Sequence, residues 1–304
     1  MLILLISKKT KTTQPELWQL KHIFLHIYLQ LHIISNFKAM KIIQHIATYF
    51  LALMILSSCT EEIDIDLNSS DPQIVIEGSV STTGESVIKI TESVNFDESN
   101  DFPKVRNAFV EISDNLGNSE ILLESSEGIY STTSFGGVEG RTYSLNVQVD
   151  DKTLESVSNI PNHVSFDSLI VNKASVPGFP GAQENDLYYE VRVQYQDPAD
   201  AVNFYRFVEI VNNEITNSYV FDDRLNNGEY VTVPLLNFSR ELLPRDVLEI
   251  EMQCIDEFVY EYFNSFGNTQ GSSATPANPY TNILGSELGY FNAHTSEVKK
   301  KIIE

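Results

Sequence analysis

One cysteine stands where a thiol can be acylated. Small residues precede Cys59 in Leu56-Ser57-Ser58-Cys59, and Met40-Lys41 opens a mostly apolar run that reaches Leu56. A basic start, an apolar middle and small residues before a cleavage point make a secretory signal. Cleavage between Ser58 and Cys59 would leave Cys59 as the first residue of the mature chain, its thiol carrying acyl chains such as palmitate. The apolar run falls short of the roughly 20 residues of a membrane-spanning helix. Acyl chains can take over the anchoring, because each buried methylene contributes roughly 0.8 kcal/mol.

The other chemically capable residues do not form a reacting set. After Cys59 only His163 and His294 remain, and no His, Cys or carboxylate spacing fits a zinc site. Gly285-Ser286-Glu287-Leu288-Gly289 carries its serine one position too early for a nucleophile elbow. Asp97, Ser99 and Asp101 alternate like calcium ligands, but Phe102 stands where the turn glycine belongs and Ala108 where the bidentate acid belongs. The pair Asp222-Asp223 is one of many in so acidic a chain and is no sign of glycoside hydrolysis without geometry. Asp167-Ser168-Leu169 looks like a short bacterial O-glycan acceptor triplet, with a buried strand start as the competing reading. Aromatic residues near Phe179, Tyr219 and Tyr280 offer stacking surfaces for a carbohydrate or peptide, or ordinary packing. No catalytic residue, metal site or cofactor is expected, and the chain is not expected to be an enzyme.

The elements that would position these residues are strands. Tyr143, Leu145, Val147 and Val149 alternate with polar residues over 142–149, the period of a half-buried strand. Shorter β-branched runs at Ile74-Val75-Ile76, Val87-Ile88-Lys89-Ile90 and Ala108 to Ile112 are separated by turn residues. The spacing predicts an Ig-like β-sandwich over 72–160. From 161 to 304 it predicts a second β-sandwich-like domain carrying one helix near 255–266. There Ile255, Phe258, Val259, Tyr262, Phe263 and Phe266 share a helical face expected to pack on a sheet. Cys254 falls on the apolar face of the preceding strand, which predicts an inert core thiol. Residues 59–71 read as an acidic tether and 40–58 as the signal peptide. Residues 1–39 fit no secretion signal and read as a mis-called upstream extension, an amphipathic N-terminal segment being the alternative.

Composition narrows the partners. The chain carries 20 basic and 42 acidic residues, a net of −22, and six of the former but one of the latter precede Cys59. The mature chain would thus hold 14 basic against 41 acidic residues, a net of −27. Such a charge repels nucleic acid and anionic lipid. Its plainest meaning is a solvated acidic surface, with cationic ligands as the alternative. With Cys59 acylated, Cys254 has no partner for a disulfide.

The order of several short motifs carries a family resemblance. Ile74-Val75-Ile76-Glu77-Gly78, Ala108-Phe109-Val110-Glu111-Ile112-Ser113-Asp114, Gly140-Arg141-Thr142-Tyr143, Asn203-Phe204-Tyr205-Arg206-Phe207 and Asn282-Ile283-Leu284-Gly285 follow the acylation motif. Together they are similar to the Bacteroidota lipoprotein family known as domain of unknown function 4249, across essentially the whole mature chain. The resemblance implies an accessory surface lipoprotein accompanying a TonB-dependent outer-membrane receptor, and supplies no catalytic residues. In such lipoproteins acids beside the acylated cysteine, here Glu61, Glu62 and Asp64, resemble an export signal to the outer face. The expectation is therefore an outer-membrane, lipid-anchored, surface-facing protein that binds a ligand or partner without catalysis. The alternative is a structural or adhesive surface protein with no small-molecule ligand.

Overall fold

A computed structural model describes residues 71–95, 99, 101–175, 187–237, 241–269, 278–286 and 288–304, with seven isolated positions between 22 and 49. The chain divides into two compact units, 1–67 and 68–304. In the first, His22, Ile23, Leu25, His26, Ile27, His45 and Tyr49 are helical and exposed. Among the described residues no helix is long and apolar enough to cross a membrane. Cys59, Ser58, Glu61, Glu62 and Asp64 lie outside the described residues, as do nearly all of the expected signal and tether.

The second unit is mainly β, as the alternation predicts. Its first part runs β1 (Ile74–Ser81), β2 (Val87–Glu92), β3 (Phe109–Asp114), β4 (Ser119–Ile121) and β5 (Leu123–Ser126). It continues with β6 (Ile129–Ser131), β7 (Thr142–Val149) and β8 (Lys152–Asn159). Two further strands, β15 (Ile283–Leu284) and β16 (Gly289–His294), come from the far end of the chain. They complete two five-stranded sheets, ordered β16-β1-β2-β6-β5 and β15-β8-β7-β3-β4. One apolar core joins the two sheets, with Ile76, Ile88 and Ile90 from the first meeting Ile112, Leu145 and Val147 from the second. Strand β7 behaves as its pattern demands, burying Tyr143, Leu145 and Val147.

The second sandwich holds β9 (Phe166–Ser175), β10 (Leu187–Gln196) and β13 (Tyr230–Leu235) in one sheet ordered β13-β10-β9. Its other sheet is ordered β12-β11-β14-β17, from β11 (Phe204–Val211), β12 (Glu214–Asp222), β14 (Val247–Ile255) and β17 (Glu297–Ile302). Phe166, Val193, Tyr195, Phe207 and Ile250 are among its buried residues, and Cys254 is a free, buried thiol in the same core. The expected stretch 161–304 therefore does not form one unbroken domain, because β15 and β16 belong to the first sandwich before β17 returns to the second.

Helix α1 (Glu257–Thr269) lies against the outer face of the second sheet. Its rotation differs from the expected stripe. Val259, Tyr260 and Phe263 pack with Phe204 and Val220, while Phe258 is 68% exposed and Phe266 43%. The cause lies at the helix start. Asp256 Oδ1 accepts the Val259 N–H at 2.9 Å, which caps the first turn, and the Tyr260 hydroxyl donates to Asp222 Oδ2 at 2.8 Å. Those two anchors turn Tyr260 inward and Phe258 outward.

The parallel pairing of β1 with β16 depends on one glycine. Gly289 lies opposite Ile76 with φ of 101°, and a Cβ there would sit 2.1 Å from the Ile76 carbonyl oxygen. Gly289→Ala should cost roughly 3 kcal/mol or more, since it combines left-handed strain with a backbone clash that no rotamer relieves. Urea unfolding checks this. A loss below about 1 kcal/mol, the ordinary size of a surface change, would contradict the pairing.

Candidate functional site

The residues that sequence spacing singled out are dispersed or structurally employed. His163 meets Glu297, its ring Nε2 3.1 Å from the carboxylate, whereas His294 is buried at the end of β16. Asp222 is tied to Arg224 and the Tyr260 hydroxyl, and Asp223 is buried and accepts the Asn203 N–H at 2.8 Å. The pair thus secures two different loops. Ser286 donates its hydroxyl to the Ile74 carbonyl at 2.7 Å. Ser168 pairs with Gln194 within the sheet, beside exposed Asp167. Of the acidic calcium-like trio, Asp101 is exposed and Asp97 lies outside the described residues. Among the described residues, no three His, Cys, Asp or Glu side chains gather as a metal site. Tyr219 packs on the second core with its hydroxyl on Glu209, Tyr280 is 69% exposed, and Phe179 lies outside the described residues.

The two sandwiches meet along a polar seam. Strand β8 turns Ser156 and Ser158 inward and leaves Val157 54% exposed, the reverse of an amphipathic strand. The serines have partners there. Ser156 donates to the Asn282 carbonyl at 2.7 Å, and Ser158 donates to Asp256 Oδ2 at 2.6 Å while accepting the Ala293 N–H at 2.9 Å. The Asn159 N–H adds a 3.0 Å bond to the same Asp256 oxygen. One carboxylate therefore caps α1 and fastens the first sandwich to the second.

Beside this seam lies a cluster around Arg206 whose components come from β11, β12, β14, β16 and α1. Strand β11 projects Arg206 outward between Ser218 of β12 and Gln253 of β14. Arg206 Nε donates to Ser218 Oγ at 2.8 Å, and its Nη1 donates to Gln253 Oε1 at 3.2 Å. Its guanidinium lies 3.9 Å from the Phe263 ring centre, a cation–π contact. Tyr262, Phe263 and Tyr290 form a ring cluster, with Tyr290 4.9 Å from each of the other two. Phe266 stacks on Tyr262 at 6.3 Å and reaches solvent. On β1 and β2 the exposed ion pair of Glu77 with Lys89 stands near, its carboxylate acting on both tyrosines.

The electrostatics of the cluster are unusual for this chain. Arg106, Arg141, Arg192 and Arg224 each have a carboxylate within 3.5 Å. Arg206 is half-buried and forms no direct ion pair among the described residues, but the Glu251 carboxylate acts on its charge. Burial draws its pKa down, yet a guanidinium stays charged. Burial likewise pushes the Tyr262 phenol up to about 12, so it remains a neutral donor. Behind Gln253, Asn292 is 1% exposed and donates Nδ2 to Gln253 Oε1 at 3.3 Å, while no protein donor reaches its buried Oδ1. Spacing arguments miss this cluster because Arg206, Gln253, Phe263 and Tyr290 are distant in sequence. The one available signal is an outward arginine on a strand facing Gln253 instead of an acid.

His294 continues the seam and titrates with it. Burial holds its pKa down to about 4, against the pull of Glu251, whose Oε1 lies 3.8 Å from Nε2, and of the Asn292 carbonyl. Arg206 adds to the depression. The folded pKa lies below the unfolded value of 6.5, so the neutral ring's contribution is complete above 6.5 and is lost as pH falls towards 4. At about 1.4 kcal/mol per unit, the loss amounts to roughly 2–3 kcal/mol. His294→Gln lacks this titration, so the stability gap between wild type and variant should narrow by that amount between pH 7 and pH 4. Parallel stability curves in urea would refute the assignment.

Two concavities are polar and open. One, of about 660 Å³, is lined by Asp71 to Ile74, Lys152, Leu154, Gly285 and Ser286, where the chain enters the sandwich. A smaller one, of about 180 Å³, lies at the seam around Asn203, Phe204, Cys254 and Asp256. Neither gathers reacting groups. The partly exposed aromatic rings beside Arg206 are the remaining candidate for recognition.

No curated protein matches this chain. A family model does, over residues 60–300, and its strands β1 to β16 and most of β17 fall inside that match. The chain belongs to the family described as Domain of unknown function (DUF4249).

Proposed function

We propose that this protein is an outer-membrane lipoprotein, anchored through Cys59 and facing the cell exterior, that serves a TonB-dependent transporter as a non-catalytic, ligand-binding accessory. The observation that carries the reading is Leu56-Ser57-Ser58-Cys59 followed by Glu61, Glu62 and Asp64, an acylation motif with an acidic export pattern directly before the folded unit. The cluster around Arg206 supports it by bringing aromatic rings, Arg206, Lys89 and side-chain amides together without a nucleophile–base pair. Such a set binds and orients but has no group that would make or break bonds. The alternative is a structural or adhesive surface protein with no small-molecule ligand.

The test is affinity capture of the tagged, full-length protein from native membranes in mild detergent. A receptor-sized outer-membrane barrel should co-purify in near-stoichiometric amount. Capture of the lipoprotein alone, from membranes that contain such receptors, would reject the accessory role.

A further inference from the structure

The turn between β6 and β7 gathers donors as an oxyanion receptor does. Three successive backbone N–H groups, at Thr133, Ser134 and Phe135, and the hydroxyls of Thr133 and Ser134 converge on the Glu120 carboxylate. Its Oε1 accepts the Thr133 N–H at 2.5 Å and the Thr133 hydroxyl at 2.8 Å. Its Oε2 accepts the Phe135 N–H at 2.8 Å and both donors of Ser134 at 3.3 Å. Successive N–H groups turned to one point form a nest that favours negative charge. The Thr133 N–H is foremost in holding the Glu120 carboxyl below the usual carboxylate range, while desolvation works the other way.

The nest takes its shape from groups other than its occupant. Ser86 and Thr132 are buried beneath it, the Ser86 N–H donating to Thr132 Oγ1 and the Thr132 N–H to the Ser86 carbonyl, each at 3.0 Å. Both hydroxyls then donate to the Phe135 carbonyl, at 2.9 Å from Thr132 and 3.2 Å from Ser86. The Phe135 ring meets Tyr143 edge-on at 5.8 Å, and the Gly137 N–H donates to the Ser81 carbonyl at 2.8 Å. The occupant stands on a slighter element. Glu120 belongs to β4, a three-residue edge strand whose register covers only Glu111, Ile112 and Ser113 of β3. Thr133 and Ser134 are exposed, so a solute reaches their donors once Glu120 is withdrawn. Donors divided between two oxygens of one planar group suit a carboxylate. We infer that Thr133, Ser134 and Phe135 form a carboxylate-binding site, which the chain fills with its own Glu120 and which accepts a free carboxylate when that side chain is withdrawn. Glu120 thereby latches the edge strand β4 onto the β6–β7 turn. The inference stands apart from the accessory role and does not depend on it.

The test uses full-length protein carrying Glu120→Ala, with sodium acetate as the probe and sodium chloride at equal ionic strength as the reference. Acetate should raise the variant's urea midpoint saturably, with half-saturation at roughly 10–100 mM, within reach of a ligand of about four heavy atoms. It should leave the wild-type midpoint where chloride leaves it, because Glu120 already fills the site. Adding Thr133→Ala and Ser134→Ala removes both hydroxyl donors and should weaken acetate binding about threefold or more. If Glu120→Ala is unfolded in chloride, acetate should restore its β-sheet circular dichroism. Hydrogen exchange on wild-type protein adds a measurement that needs no variant: the Thr133 and Phe135 amides should exchange about tenfold or more slowly than exposed amides. An equal acetate effect in wild type and variant, an effect that chloride reproduces, or a response to inorganic phosphate and not to acetate would each overturn the inference. So would an unfolded variant that acetate does not restore, or unprotected amides at 133 and 135 in wild type.

Discussion

Asp256→Ala is expected to lower the stability of the folded unit by roughly 3–5 kcal/mol, a large fraction of what a domain possesses. The size follows from what its carboxylate does. Oδ1 caps α1 through the Val259 N–H, and an N-cap aspartate replaced by alanine costs about 0.5–2 kcal/mol. Oδ2 receives the Ser158 hydroxyl at 2.6 Å and the Asn159 N–H at 3.0 Å, and Asp256 is itself 6% exposed. Alanine would strand the buried Ser158 hydroxyl, at about 1–3 kcal/mol for a buried group left unsatisfied, and would also remove the charge-assisted bond to the part-buried Asn159 N–H. Asp256→Asn separates the two contributions. Its oxygen can keep the cap, but its NH₂ would then face two donors, so an intermediate loss of about 1–3 kcal/mol is expected. Urea unfolding followed by far-ultraviolet circular dichroism measures both variants. A loss under about 1 kcal/mol for Asp256→Ala would show that the seam is solvated and that the sandwiches are held elsewhere.

That seam also marks the limit of what could be read from the residues in order. Strand β7 was legible because its partners, β3 and β8, are near in sequence and its inner residues alternate without interruption. Strand β8 was legible as a strand but not in its facing, since Ser156 and Ser158 point inward only because Asn282 and Asp256 wait there. Serines carry no pattern that distinguishes a polar seam from solvent. The two-sandwich, mainly β plan followed from strand spacing, whereas the return of β16 to lie parallel with β1 did not. Ile76 and Gly289 meet across more than two hundred residues, and nothing local encodes such a pairing. The helix was visible from its aromatic period, but six aromatic and aliphatic residues in one stretch admit several rotations. Asp256 selects one, and in doing so it brings Tyr262 and Phe263 to Tyr290 and Arg206. The cluster around Arg206 is thus a consequence of a cap.

Cys59→Ala should abolish acylation and outer-membrane attachment while leaving the folded unit intact. One acyl chain gives only marginal, reversible binding, and two or more hold a protein at a membrane. The charge of the mature chain adds no attraction to an anionic surface, so the lipid on Cys59 would be the whole anchor. Wild-type protein should therefore fractionate with membranes, and its intact mass should show an N-terminus at Cys59 bearing acyl chains. The alanine variant should lack the lipid mass and the cleavage between Ser58 and Cys59, and should leave the outer-membrane fraction. Its urea midpoint should stay that of wild type, because the first described residue of the sandwich region, Asp71, lies 12 residues beyond Cys59. Those residues span at most about 40 Å when extended, enough to hold the sandwiches clear of the lipid headgroups. Changing Glu61, Glu62 and Asp64 together to Gln, Gln and Asn separates anchoring from address. Acylation should persist, while digestion of intact cells by added protease should fall sharply as the protein is retained on the inner face. Alanine at 59 with unchanged membrane partition would place the anchor elsewhere. Unchanged protease access in the triple variant would deny the acidic residues a role in export.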